Sequence, residues 1–140
     1  MQTIERLDLQ DAWRLIEGAR AEAEKIGVAM CIAVTDESGF LIAFERMAGG
    51  KPLSTTLAQD KAFTAAISMR STAFYNERAV DGSLLNGISG SVGGRFTTVG
   101  GGVPVEHDGK LVGAIGISGG APEQDIQCCE AGIAHWRAGR

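Results

Sequence analysis

Histidine and cysteine are scarce in this chain, which holds two histidines and three cysteines in 140 residues. No cluster of histidine, cysteine and carboxylate stands at metal-ligand spacing, so a metal centre built from side chains alone is not expected. Cys31, Cys128 and Cys129 leave one thiol unpaired in any disulfide scheme. Cys31 falls in an apolar run and reads as a small core residue. The vicinal pair reads either as redox-active or, as expected here, with one thiol facing the core and the other a partner surface. Basic runs are also missing. Lys and Arg total 13 against 17 Asp and Glu, a net charge of −4 that argues against nucleic acid as a partner. No apolar stretch reaches the length of a membrane span. The opening MQTIERLDLQDAW is charged and amphipathic where a signal peptide would be apolar, so a cytoplasmic protein is expected. Neither G-x-G-x-x-G nor a Gly-Lys-Ser/Thr ending after glycines occurs, which argues against a nucleotide site of either kind.

Glycine, by contrast, is over-used at 20 residues, and many of these lie between Gly87 and Gly120. Two apolar stretches there, Val103–Val105 and Leu111–Ser118, flank His107-Asp108-Gly109-Lys110. Asp-Gly between apolar runs predicts a β-hairpin. Before it lies a glycine apron, Gly93–Gly102, that carries Arg95. A cation beside bare backbone amides can receive a carboxylate, and a loop shaped by packing alone is the alternative.

The rest of the chain reads as one domain over residues 1–140, with no repeat or linker. Asp8 is placed to cap a helix whose apolar positions Leu9, Ala12, Trp13, Ile16, Ala19, Ala23 and Ile26 recur at three- and four-residue spacing, with Gly27 as its stop. Val28–Thr35 and Phe40–Arg46 predict two strands joined by the turn Asp36–Gly39. Ser54 is expected to cap a second helix to about Arg70, rich in small residues. A short helix Ala73–Val80 ends at an Asp81-Gly82 turn, Asn86–Gly94 is irregular, and a weak strand lies near Phe96–Val99. Pro122 opens a last helix with Ile126, Cys129, Ile133 and Trp136 on its core face. Hairpin connections predominate, so the expected architecture is α+β: an antiparallel five-stranded sheet with helices packed on it.

Gly116-Ile117-Ser118-Gly119-Gly120 matches the nucleophile-elbow pattern G-x-S-x-G, but Asp125 and His135 share one short following helix, and a serine hydrolase is rejected. His135 reads as a charge at a helix C-terminus. His107, at the hairpin tip, is an exposed turn residue, a haem ligand or an acid/base group. Arg46, Lys61 and Arg95 are routine surface charges taken singly; brought together they would suit an acidic small molecule or haem propionates.

The stretches IAVTDESGFLIAFERM (Ile32–Met47), QDKAFTAA (Gln59–Ala66) and GGGVPVEHDGKLVGAIGISGGAPEQD (Gly100–Asp125) resemble the GlcG/HbpS-like family, described as haem-binding or haem-degrading and including the C-terminal domain of PduO proteins. The resemblance implies a profilin-like α/β layered fold and a homo-oligomer, from tetramer to octamer. The alanine face of the second helix, the C-terminal cysteines and Trp136 are then expected contact surfaces. It also implies two functional readings. In one, the protein binds haem or a related tetrapyrrole, with Arg46, Lys61 or Arg95 pairing propionates and His107 as axial ligand. In the other, it is an isomerase, tautomerase or hydrolase of a small unsaturated or hydroxylated carboxylic acid. Arg95 and the amides of Gly100, Gly101 and Gly102 would then hold negative charge, and Lys61, His107 or Glu123 would move protons. A structural accessory subunit is a third reading.

Overall fold

The computed structural model describes residues 1–78 and 82–140. Helix α1 (Leu9–Ile26) begins as its sequence dictates. Asp8 accepts the Asp11 N–H at 2.9 Å, Asp11 accepts the Asp8 N–H at 3.0 Å, and Gly27 closes the helix at φ 73°. Strands β1 (Cys31–Asp36) and β2 (Leu41–Arg46) form an antiparallel hairpin. Asp36 builds its turn by accepting the N–H groups of Ser38 and Phe40. Helix α2 (Pro52–Ser68) follows, then the short α3 (Thr72–Asn76) and α4 (Gly82–Ser91). Strands β3 (Gly102–His107) and β4 (Lys110–Ser118) make the second hairpin. Its turn residues Asp108 and Gly109 both have positive φ, 49° and 75°, as a type I′ turn requires. Helix α5 (Pro122–Ala138) ends the chain.

Among the described residues the sheet has four antiparallel strands in the order β2-β1-β4-β3. Alternation along β1 divides the core. Ile32 and Val34 join Ile115, Ile117, Leu15, Ile16 and Trp136 beneath α1 and α5, while Cys31 and Ala33 pack on Ala58 and Ala62 of α2. The small residues of α2 let it lie almost on the sheet: a Cβ at Gly116 would fall on Ala58 O and Ala62 N.

The structure departs from several of these expectations. Phe96–Val99 is not a fifth strand, because Thr64 Oγ1 accepts the Thr97 N–H at 3.0 Å and donates to Arg95 O at 3.3 Å. A side chain of α2 thus holds backbone that would otherwise pair with the β3 edge. Residues 86–91, expected to be irregular, are helical: Ser91 Oγ donates to Gly87 O at 3.1 Å, and Gly93 and Gly94 stop the helix with positive φ. Ser54 does not cap α2. Lys51 stands at that position ahead of Pro52, and the buried Ser54 hydroxyl accepts from Ser118 Oγ at 3.2 Å. The alanines of α2, both C-terminal cysteines and Trp136 are buried in the core, so they are not available as subunit contacts. The short helix expected over Ala73–Val80 ends early, at Asn76 with Glu77 as its cap, and Gly82 of the expected Asp81-Gly82 turn begins α4; Val80 and Asp81 themselves lie outside the described residues.

Candidate functional site

Lys61 is the first surprise among the residues named from the sequence. It is 1% exposed, and its ammonium donates to Ile117 O at 2.8 Å and to Asp125 Oδ2 at 2.9 Å. Asp125 accepts the Gly120 N–H at 3.0 Å through its other oxygen. Burial pushes the Asp125 carboxyl above its usual range, against the pull of the Lys61 ammonium. Gly100–Gly102 closes over this pair. Gly101, at φ 123°, carries no Cβ because one there would stand 2.8 Å from Lys61 Nζ and 2.7 Å from Ile117 O. The Gly102 N–H donates to Thr72 Oγ1 at 2.9 Å, and Gly101 O accepts from Ile117 N and Cys129 Sγ. The structure therefore brings Lys61 together with Gly100, Gly101 and Gly102, but as a buried joint between α2, β4 and α5.

Arg95 lies elsewhere, on the solvent side of α2. Its guanidinium sits 3.9 Å above the Phe63 ring and donates through Nε to Asp60 Oδ1 at 3.1 Å. It lines a cleft of about 530 Å³ together with Thr35, Phe40, Leu41, Gln59 and Asp60. Arg46 is not there. It lies five residues from Leu41 along β2, about 17 Å of extended strand. Its guanidinium donates to Gly50 O at 3.0 Å. Arg46, Lys61 and Arg95 thus do not converge.

His107 occupies a third place, on the α1/α5 side of the sheet. It lines two adjoining grooves of about 240 and 320 Å³, shared with Trp136 and Arg140; Glu5 and Leu7 add to one, Arg137 to the other. Its ring meets Trp136 edge-on at 6.5 Å. Nδ1 stands 3.3 Å from Glu5 Oε2. A carboxylate only accepts, so Nδ1 can donate to Glu5, while Nε2 stands 3.8 Å from Asp108 Oδ2. Glu123 is exposed in the first turn of α5, so Lys61, His107 and Glu123 form no common constellation. His135 lies at the seam between α5 and α1, its Nε2 3.6 Å from Glu17 and its Cβ where a side chain on Gly18 would fall. Ser118 of the G-x-S-x-G pattern is buried against Ser54.

Sequence reasoning missed Asp125 as the partner of Lys61, Glu5 as that of His107, and Thr35. For Lys61 a signal existed: it shares a helical face with Ala58, Ala62 and Ala65, and a cation on a buried face demands an anion.

Residues 7–134 match the family model "Haem degrading protein HbpS-like". The chain belongs to the HbpS-like family. Protein GlcG of Escherichia coli K12 is 37% identical over 119 residues, 84% of this chain and 85% of GlcG. The corrinoid adenosyltransferase PduO of Citrobacter freundii is 33% identical over 91% of this chain, which spans only 38% of PduO's length. Among solved structures, a PduOC–haem complex superposes with a TM-score of 0.85 at 31% identity, covering 93% of this chain and 94% of that one. Among the described residues no helix is long and apolar enough to cross a membrane, and no group of three or more His, Cys, Asp or Glu is placed to hold a metal ion.

Proposed function

We propose that this protein binds a tetrapyrrole, haem in the first instance, at the groove of His107. The observation that carries this reading is the imidazole whose Nδ1 is engaged by Glu5 at 3.3 Å. A carboxylate on one ring nitrogen orients the ring and raises the basicity of the other, the usual setting of a metal-binding histidine. The groove offers an imidazole for the iron and the guanidinium groups of Arg137 and Arg140 for propionates, Arg140 standing 3.3 Å from Asp11 Oδ1 as well. Those two arginines replace Arg46, Lys61 and Arg95 as the propionate partners. Haem would supply iron for axial ligation, and this chain's part is to hold His107 in its tautomer and to pair the ligand's carboxylates. The likeness to a PduOC structure solved with haem and to the HbpS-like family supports the same reading.

A homo-oligomer belongs to the same proposal. Exposed Ile4, Ile67 and Met69 line a groove of about 750 Å³ with Leu111, apolar surface that a second copy would cover. Light scattering of the purified protein reads this directly.

The test of the ligand is a haemin titration followed by absorbance, with His107→Ala and His135→Ala as variants. A saturable Soret shift lost in His107→Ala and kept in His135→Ala is the expected result. A shift that survives His107→Ala would overturn the role of His107, and one lost in His135→Ala would move the site to the groove between α1 and α5.

A further inference from the structure

We propose that the Arg95 cleft is a second binding site, for a small carboxylic acid that carries a hydroxyl or keto group beside its carboxylate. The cleft lies on the α2 side of the sheet, across from His107, and the proposal does not rest on the tetrapyrrole reading.

Two independent observations meet in it. The first is the state of Arg95. Stacking on Phe63 and the Nε bond to Asp60 fix the plane of the guanidinium, and its two Nη groups have no partner among the described residues. A planar fork held from one side and free on the other is suited to a carboxylate taken through two N–H groups. The second is Thr35. Its hydroxyl is the buried side-chain polar atom without a hydrogen-bond partner among the described residues, in a residue 1% exposed that lines the same cleft. Buried hydroxyls are almost always satisfied, so an unsatisfied one in a residue that lines a cleft calls for a partner, which a ligand's polar atom would supply.

The remaining lining agrees. Phe40 and Leu41, both exposed, give an apolar wall for a short carbon chain, and Gln59 adds an amide whose nitrogen is engaged by Thr55 O at 3.0 Å. The cleft's 530 Å³ lies in the range of small-molecule sites, about 300–1,000 Å³. A carboxylate at Arg95 with a neighbouring oxygen at Thr35 uses both unpartnered groups at once; a bare carboxylate uses one.

Three probes of similar size separate these contributions: lactate, propionate, which lacks the hydroxyl, and 1,2-propanediol, which lacks the carboxylate. Binding is followed by amide chemical shifts of Gly93 and Gly94 in the full chain. Lactate is expected to saturate and to bind about 10-fold tighter than propionate, with the diol weaker still. Thr35→Val should abolish the lactate–propionate difference while melting no lower than the parent, since the hydroxyl has no protein partner to lose. Arg95→Gln should weaken both acids about 10-fold or more. Lactate that fails to saturate, that binds Arg95→Gln as well as the parent, or that the diol matches would overturn the site. Equal binding of lactate and propionate to the parent would overturn the role of Thr35.

Discussion

Replacing Lys61 by methionine should be among the most damaging single changes in this chain. The ammonium is 1% exposed and the Asp125 carboxylate 3%, so neither charge can exchange its partner for water. Methionine keeps most of the length and leaves Asp125 with the Gly120 N–H alone. Removing one member of a buried ion pair costs about 3–5 kcal/mol. Domains of this kind hold about 5–15 kcal/mol in total, so the loss is a large fraction of the fold's stability. Asp125→Asn in the same background removes the stranded charge. The double variant should therefore be more stable than Lys61→Met alone, by about 1–3 kcal/mol. Urea unfolding followed by circular dichroism, with all four chains at one temperature, measures the cycle. A loss below about 1 kcal/mol for Lys61→Met, or additive single effects, would refute a desolvated, coupled pair.

Other consequences are simpler to read. Gly101→Ala should destabilise by at least about 1–3 kcal/mol, because φ 123° is strained for alanine and its methyl would meet Lys61 Nζ and Ile117 O; a Tm within a degree of the parent would contradict this. Glu37 is held below the usual carboxylate range by the Arg6 hydrogen bond. Asp11 is also lowered: burial pushes it up, but the Asp8 N–H, the Trp136 indole and Arg140 outweigh that. Both therefore contribute stability that is complete above their unfolded values, about 4, and is lost as pH falls through the lower folded values. The urea midpoint should drop steadily from about pH 5 downward, and less steeply in Asp11→Asn. A midpoint independent of pH across that range would remove both groups from the account. Cys128, whose thiol burial pushes up to about 11, and the fully buried Cys129 should resist alkylation in the folded chain at neutral pH. Rapid labelling by iodoacetamide in the absence of denaturant would contradict their burial.

Most of the frame was legible in the sequence because its signals are local. The Asp8/Asp11 capping box, the Asp108-Gly109 turn and Pro122 at the head of α5 each act within a few residues of the chain. What escaped was long-range. A fifth strand near Phe96 depended on whether its backbone met β3 or Thr64, a residue 33 positions away from Thr97. Glycines at 87 and 90 made α4 look irregular, although Leu84, Leu85 and Ile88 keep a helical spacing. The site divided in the same way. His107 and Arg95 stood out as residue types, yet nothing in their spacing could reveal that the sheet separates them or that Asp125 sits under Lys61. Thr35 gave no sequence signal, since an unpartnered hydroxyl is a property of packing.

Rescue of His107→Gly by external imidazole tests the central claim most directly. If His107 ligates haem, the variant separated from free haemin should lack the Soret band of the haemin-loaded parent, and the protein fraction should recover a bound Soret band when millimolar imidazole is supplied during loading. A variant that binds haemin with the parent's spectrum before imidazole is added would contradict the account.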